Sequence, residues 1–348
     1  MLDRCGLLIY DAYMPELPEV QTTVNGLKAT IVGLKIVDVW SIYDSPYFKG
    51  SETIKDRAYF KKFRKSVVGK VVHSATRRAK NVLIHLDRSA NKKIVKKDLS
   101  ITILVHMKMT GHLLYGKYRF DPKSRRDPWI PLEPESLKDP YNRHVRFVIS
   151  FSNGYQLALS DVRKFAKVAM IEHEDMKDLH TSSHLETIGP EPLDFSFTFT
   201  KFLERMSLHP KKHIKQVLLD QEVIAGIGNI YADESLWLAG IHPATRVEDL
   251  FGHSKAKQLG PESTHKPKRL LKLLFKAIKS SLAKGVSFGG DSMSDYRNVY
   301  GEKGEFQNKH HAYQKTGMKC DKRGCGGTII RIKLVGRGTH FCNKHQRL

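Results

Sequence analysis

Near the C-terminus, Cys320 and Cys325 are separated by four residues, and Cys342 and His345 by two. Three thiolates and one imidazole supply the donor set of a closed tetrahedral zinc site, which is structural rather than catalytic. His340 lies close enough in sequence to compete with His345 for the fourth position. The stretch between the pairs, TIIRIKLVGRGTHF, reads as a β-ribbon that turns at VGRG and carries Arg337 at its tip. The remaining cysteine is Cys5. Three of four cysteines gathered at one end indicate a metal site in a reducing compartment, not a disulfide framework.

A second group surrounds Gly226-Ile227-Gly228-Asn229, which opens a helical stretch. Paired glycines let backbone amides approach an anion, and a helix N-terminus seats phosphate. Lys211, Lys212 and Lys215 fall on the segment before it. A preceding strand and a third glycine are missing, so a nucleic acid fits better than a dinucleotide cofactor. Lys80 follows Arg77 and Arg78 at the mouth of a strand. Alone, such a lysine is more often a solvated charge than a catalyst. Met109 in HMKMTG, and Arg163 and Phe165 in SDVRKFAK, stand where strands give way to turns. Core packing alone would explain Phe165 better than an exposed role does.

Elements that must hold these residues can be read from hydrophobic spacing. Leu17, Val20, Val24, Leu27 and Ile31 predict an amphipathic helix over 15–33, with Pro15 and Pro18 tolerated only at its start. Strand-like runs cover 81–86, 101–107, 144–151 and 155–162, the last two joined by a Ser-Asn-Gly turn. The Pro-, Asp- and Arg-rich stretch from Tyr118 to Asn142 reads as a long surface loop. Helical spacing then takes over at 196–207, 211–222, 229–239 and 267–284, followed by a glycine-rich stretch at 285–290. With 59 basic against 36 acidic residues, a net charge of +23, the chain calls for a polyanionic partner. No apolar run is long enough to span a membrane, and the first 13 residues do not read as a secretory signal.

Residues 14–20 read Met-Pro-Glu-Leu-Pro-Glu-Val, which has the form of a chain start although 13 residues precede it. Together with RRAK, HMKMTG, DVRKF, GIGNIYADE…AGIHP and the cysteine tail, in that order from Met14 to the end, it resembles the formamidopyrimidine-DNA glycosylases and their endonuclease VIII relatives. Leucine at 17 resembles the oxidised-purine branch. The resemblance implies an α+β protein: an N-terminal helix plus β-sandwich domain, then a helix-two-turns-helix domain with a C-terminal zinc-finger hairpin. The corresponding boundaries are 14–186, a linker at 187–196, 197–300 and 301–348. Residues 1–13 are then an extension that is either a misassigned start or is removed.

The same resemblance implies roles. Pro15 would attack C1′ of a damaged nucleotide through a free secondary amine. Glu16 would deliver the proton, Glu19 would support the site, and Lys80 would assist catalysis beside the lesion phosphate. Arg337 would serve the later elimination. Met109, Arg163 and Phe165 would fill the gap left by an everted base. Asn142, His144, Lys211, Lys215 and Asn229 would contact DNA, and the loop 285–296 would close over the flipped base. One structural Zn2+ would sit on Cys320, Cys325, Cys342 and His345. Departures are the wider first cysteine pair, histidine as last ligand, Asn142 where the family often has a histidine, and a longer stretch from His106 to Asp161. The expected partner is damaged double-stranded DNA, and the expected setting is a cytoplasmic, nucleoid-associated monomer. Two other readings stay open: preference for oxidised pyrimidines, and a zinc-containing nucleic-acid-binding protein without lyase activity if Pro15 is not N-terminal.

Overall fold

A computed structural model describes residues 14–87, 99–124, 127–252 and 266–348; the expected N-terminal extension, with Cys5, lies outside them. The chain forms two compact units. The N-terminal unit runs to Glu186 and also takes in Phe288–Glu305. Those residues therefore pack with the sandwich, whereas the sequence reading places 288–300 with the helices and 301–305 with the zinc finger.

In this unit the chain runs α1 (Leu17–Thr30), β1 (Ile36–Ser41), α2 (Arg57–Val67), β2 (Val72–Arg78), β3 (Asn81–Leu86), β4 (Ser100–His106), β5 (His112–Phe120), β6 (Trp129–Glu133), β7 (Val145–Phe151), β8 (Gln156–Ser160), β9 (Lys167–His173) and α3 (Met176–Thr181). Two antiparallel sheets form, ordered β1-β7-β8-β5-β6 and β2-β3-β4-β9. Alternate residues of each strand face the space between them, as period-two geometry demands. Val82 and Ile84, Ile103 and Val105, Phe147 and Ile149, and Leu157 and Leu159 fill it. Val20, Val24, Leu27 and Ile31 of α1 lie in the same cluster, so the predicted stripe is the face that α1 buries.

The stretch 118–142 is not the expected loop. It contributes β6, which pairs with β5 at the sheet edge. An edge tolerates Pro131, whose missing amide costs no ladder bond there. Trp129 and Phe120 pack with Trp40 at ring separations of 5.1 to 6.1 Å. Leu137 is buried with Leu114, Val145, Val148 and Ala158 on the outer face of the five-stranded sheet. Helix α2 also escaped the sequence reading; Asp56 caps it by accepting from the Tyr59 amide at 2.6 Å.

On the four-stranded sheet, polar side chains form one directed chain. The His173 ring donates from Nδ1 to the Asp175 carbonyl at 3.0 Å, so Nε2 accepts from the Thr102 hydroxyl at 2.8 Å. Thr102 must then accept from His85 Nδ1 at 2.9 Å, leaving His85 Nε2 to accept from Thr76 at 2.7 Å. In this arrangement each ring donates from Nδ1 and accepts at Nε2. Burial, then the neighbouring His173, His73 and His180, push the His85 pKa down to about 4. Burial likewise pushes His112 down to about 4.

The second unit comprises Thr187–Ser287 and Phe306–Leu348 among the described residues. It holds α4 (Phe199–Ser207), α5 (Ile214–Leu219), α6 (Asn229–Ala239), α7 (Val247–Phe251), α8 (Lys266–Ser287) and the hairpin β10 (Ile329–Leu334) and β11 (Arg337–Cys342). Helix α6 is buried almost all round, and its acidic residues are consumed internally. Glu234 accepts the amides of His311, Ala312 and Tyr313 at 2.8 to 2.9 Å. Asp233 accepts the Lys215 ammonium at 2.6 Å and the His340 amide at 2.8 Å. Lys215 also reaches the Gly338 carbonyl and Thr339 hydroxyl, and is 1% exposed. This corrects the expectation that Lys215 contacts DNA: its ammonium is sealed inside the unit, where it joins α5, α6 and β11.

Two outcomes follow from these buried groups. A histidine whose folded pKa is depressed stabilises the fold fully above its unfolded pKa of about 6.5, and this stability is lost as pH falls toward the folded value. Denaturant midpoints should therefore hold to about pH 6.5 and decline steadily toward about pH 4. The His85→Gln, His112→Gln double variant should show a shallower decline; an identical slope would remove these rings as its cause. Separately, Lys215→Met should destabilise the protein by about 3–5 kcal/mol, because it strands the Asp233 carboxylate. Urea unfolding measures this. The folded variant should keep the parent salt dependence of DNA binding, and a slope lower by about one would return Lys215 to the interface.

Candidate active site and metal centre

Pro15 and Glu16 sit immediately before the first turn of α1, and both are buried. Glu19 reaches back so that its Oε2 accepts from the Glu16 amide at 2.8 Å, the return arm of a capping box. Its other oxygen accepts from the Asp291 amide at 2.7 Å, and its carbonyl accepts from the Tyr296 hydroxyl at 2.9 Å. The loop expected at 285–296 is thereby attached to the head of α1. Gly290 has φ +84°, and a Cβ there would lie 2.9 Å from Glu19 Cγ. Glycine is thus needed for both the turn and the approach.

Lys80 is buried in the two-residue turn between β2 and β3, at the mouth of β3, and follows Ala79 at φ +52°. Arg77 ties this turn to α1 by donating to Gln21 Oε1 at 3.0 Å and to the Ala79 carbonyl at 2.9 Å. His106 faces Asn81 across the sheet. Burial, then the positive charges of Lys108, Lys80 and Lys167, push its pKa down to about 3. The imidazole is therefore neutral, and the cations around it form a field that favours an anion.

Two adjacent loops carry Met109, Arg163 and Phe165. Each places its bulky residue directly after a lysine at φ +57°, half-buried Met109 after Lys108 and exposed Phe165 after Lys164. Phe165 is 47% exposed, with the Arg163 guanidinium 4.7 Å from its ring centre. Exposure of this size argues against core packing. Met109 and Phe165 line one apolar cavity of about 420 Å3, whose rim carries Lys55, Lys108 and Lys167.

Among the expected DNA contacts in this unit, Asn142 is corrected. It is 2% exposed, accepts from His112 Nε2 at 2.9 Å, and donates to the Ser136 and Gly301 carbonyls at 3.0 and 3.4 Å. Its amide holds turns together and is not presented to a ligand. His144 is half-buried beside Arg146, and Asp127 Oδ1 lies 3.8 and 3.9 Å from the two.

In the second unit, Lys211 is exposed and Asn229 opens α6. Asn229 Nδ2 donates to the Gly338 carbonyl at 3.0 Å, fixing the hairpin close to its turn. The hairpin turns through Val335 and Gly336, both at positive φ, as a two-residue turn of matching twist requires. Arg337 follows, exposed at the tip.

Cys320, Cys325, Cys342 and His345 bring their ligand atoms within 4.8 Å of one another. His345 Nδ1 lies 3.5 and 3.4 Å from the sulfurs of Cys320 and Cys325. Its Nε2 donates to the Trp237 carbonyl at 3.2 Å, which leaves Nδ1 as the free lone pair. His340 is engaged with Asp233 instead, so the choice between the two histidines falls on His345. A Cβ at Gly327 would stand 2.6 Å from Cys342 Sγ, so close packing around the cluster requires glycine. Soft sulfurs and one imidazole at these separations suit a four-coordinate metal.

Several supporting residues were missed in the sequence. Tyr296 and Asp291 lie inside the loop 285–296, Asp161 inside SDVRKFAK and Thr110 inside HMKMTG, but nothing in those stretches singles them out as supports. Trp237 is one of two aromatic residues, with Tyr231, in the GIGNIYADE…AGIHP run, and spacing alone does not single it out.

Comparison with known proteins agrees with this geometry. Residues 14–168 match the formamidopyrimidine-DNA glycosylase N-terminal domain, and residues 188–297 match the H2TH domain of the same enzymes. The formamidopyrimidine-DNA glycosylase of Herpetosiphon aurantiacus is 33% identical over 94% of this chain and 98% of its own length. That of Lactococcus lactis subsp. lactis is 35% identical with the same coverage. A solved complex of Lactococcus lactis Fpg with DNA containing an abasic site superposes with a TM-score of 0.70 at 30% identity, covering 96% of this chain and all of that one. With matching domains in the same order and relatives alike over nearly their full length, the chain belongs to the formamidopyrimidine-DNA glycosylase family.

Proposed function

We propose that this protein is a bifunctional DNA glycosylase and AP lyase that removes oxidised purines, 8-oxoguanine and formamidopyrimidines, from duplex DNA in base excision repair. The observation that carries this reading is the head of α1, where Pro15 and Glu16 sit in a match to the family's N-terminal domain that begins at residue 14. Pro15 acts as a free secondary amine, which requires residues 1–14 to be absent from the working chain, either because Met14 is the start and is trimmed or because the extension is removed. A peptide-bonded proline nitrogen is an amide and has no usable lone pair. A free α-amino group has a reference pKa of about 7.7–8.0, so a useful fraction is neutral near pH 7.

The amine attacks C1′ as the glycosidic bond breaks, and the bonding pair leaves with the base. Glu16 supplies a proton to the departing base or to the ring oxygen. Ring opening leaves an iminium ion on Pro15. Loss of the C2′ proton then expels the 3′ phosphate, a further elimination expels the 5′ phosphate, and water releases the sugar fragment from the amine. Glu19 holds the loop and the helix head in register, Lys80 neutralises the neighbouring phosphate, and Arg337 serves the elimination. Met109, Arg163 and Phe165 fill the stack vacated by the everted base, offsetting an unstacking cost of a few kcal/mol. His144, Lys211 and Asn229 remain candidates for phosphate contact. A solved relative from Lactococcus lactis is in complex with DNA containing an oxidised pyrimidine, which favours a secondary activity on pyrimidine lesions.

Within the hairpin, one Zn2+ on Cys320, Cys325, Cys342 and His345 serves folding alone. Among the described residues no helix is long and apolar enough to cross a membrane. The protein works as a cytoplasmic, nucleoid-associated monomer whose partner is damaged duplex DNA.

Borohydride trapping on a duplex with one 8-oxoguanine tests the chemistry. Protein beginning at Pro15 should form a covalent adduct, and chain retaining residues 1–14 should not. Absence of an adduct from the Pro15 form overturns the proposal. Glu16→Gln should lose base release yet still be trapped on a preformed abasic site. For the metal, elemental analysis should find one zinc per chain. His345→Ala should lose it or release it faster to a chelator, whereas His340→Ala should retain it. Equal retention by both would exclude His345 as a ligand.

A further inference from the structure

The two loops that carry Met109 and Phe165 share a buried carboxylate. Asp161 is 0% exposed at the end of β8, where the second loop begins. Its Oδ1 accepts from the Thr110 hydroxyl at 2.5 Å, and its Oδ2 accepts from the Ala166 amide at 2.8 Å and the Tyr43 hydroxyl at 3.2 Å. Thr110 follows Met109 in the first loop, and Ala166 follows Phe165 in the second. The bridge is closed in the other direction too. Having given its proton to Asp161, Thr110 Oγ1 accepts from the Arg163 amide at 3.2 Å. The carboxylate thus braces the residue after each bulky side chain, and the hydroxyl between them ties in the third.

The surroundings hold the bridge rigid. The Asp161 amide donates to the His144 carbonyl at 2.9 Å, and Arg146 Nε donates to the Asp161 carbonyl at 3.2 Å. Lys55 Nζ donates to the Lys164 carbonyl at 2.8 Å, at the position whose φ of +57° turns Phe165 outward. Thr110 is itself buried, so neither hydroxyl bond competes freely with water. A lone anchor would need one bond per loop. Here one carboxylate serves both loops, and the hydroxyl both donates to it and accepts from the far loop.

We infer that Asp161 and Thr110 are positioning residues that lock the Met109 loop to the Arg163–Phe165 loop, so that the three side chains enter the gap in the duplex as one body. The inference rests on the reading of those three as gap-filling residues.

A double-mutant cycle tests it in the full chain, with single-turnover base release from lesion duplex as the rate. A 2-aminopurine beside the lesion reports filling of the stack. Met109→Ala and Phe165→Ala should each slow release and alter the fluorescence change; if neither does, the gap-filling reading fails. Thr110→Val removes both hydroxyl bonds at nearly constant volume and should slow release about tenfold, as loss of a buried hydrogen bond of about 1–1.5 kcal/mol implies. Thr110→Ser should restore the parent rate. In the Met109→Ala, Phe165→Ala background, Thr110→Val should have almost no further effect on release. A full, multiplied effect in that background would show Thr110 acting merely through stability and would overturn the coupling, even with the gap-filling reading intact. Should Thr110→Val fail to fold, Thr110→Ala removes the same bonds without placing a methyl against the carboxylate, and the same two outcomes decide.

Discussion

Helix α1 is held by its apolar face, and the residues proposed to carry the chemistry sit at its head. Val20, Val24, Leu27 and Ile31 lie within the sandwich core, among residues drawn from both sheets. Burying such side chains stabilises the fold by roughly 1.5–3 kcal/mol each, so the helix cannot rotate or slide without losing several such contributions at once. Pro15 and Glu16 are the two residues immediately before this anchored helix. Their placement is therefore set first by this packing and then by the capping box that Glu16 and Glu19 form at the helix head. A nucleophile made from a terminal amine gains most from such anchoring, because a free chain end otherwise has the greatest conformational freedom in the protein. Glu19 completes the restraint by accepting both the Glu16 amide and the Asp291 amide, which fastens a distant loop to the same turn.

Elsewhere the protein spends its charged and polar residues inward. Lys215 with Asp233, Glu234 with three consecutive amides, Asp161 with three donors, and Asn142 with His112 are all buried and partnered. A buried charge is costly unless it is paired, and each such group specifies one arrangement of the elements around it. In the second unit these bonds take the place of a continuous apolar seam, since α6 faces the hairpin through Asp233 as well as through Trp237. The exposed residues Lys211, Arg337, Arg163 and Phe165 are then left on frames that do not give way when a polyanion pulls on them.

Much of the fold was legible because the relevant signals are local. The stripe on α1, the run at 81–86 and the helix at 229–239 coincide with observed elements to within a few residues. Misreadings have local causes too. Helix α2 carries many lysines and arginines, and only Phe63 and Val67 are fully buried, so its apolar face is narrow. Strand β6 was hidden by Pro131 and by flanking charges, which an edge strand accepts and a central one does not. The turn-forming residues around it were real; what they enclosed was a strand whose tryptophan covers the outer face of a sheet. Residues 288–300 fall in the domain boundary read for the helices and 301–305 in that of the zinc finger, whereas Asp291 and Tyr296 make their bonds to Glu19 across the length of the chain.

At the site, motif residues proved legible as a set but not individually. A motif preserves whatever the fold and the reaction require, and the one-letter code does not separate the two. Lys215 and Lys211 lie four residues apart in a basic segment, yet one is sealed against Asp233 and the other is exposed. Asn142 and His144 flank a single arginine, yet only His144 retains solvent access, because the His112 ring and the Gly301 turn claim the asparagine amide. The difference lies in partners that are remote in sequence: Asp233 and Gly338 for the lysine, His112 and Gly301 for the asparagine. His345 was resolved over His340 for the same reason, since Asp233 occupies the latter and the Trp237 carbonyl orients the former. A lysine in a nucleic-acid-binding motif is therefore evidence of charge near the interface only after the nearest buried carboxylate has been located. In this protein that carboxylate, on α6, decides the role of one lysine and one histidine together.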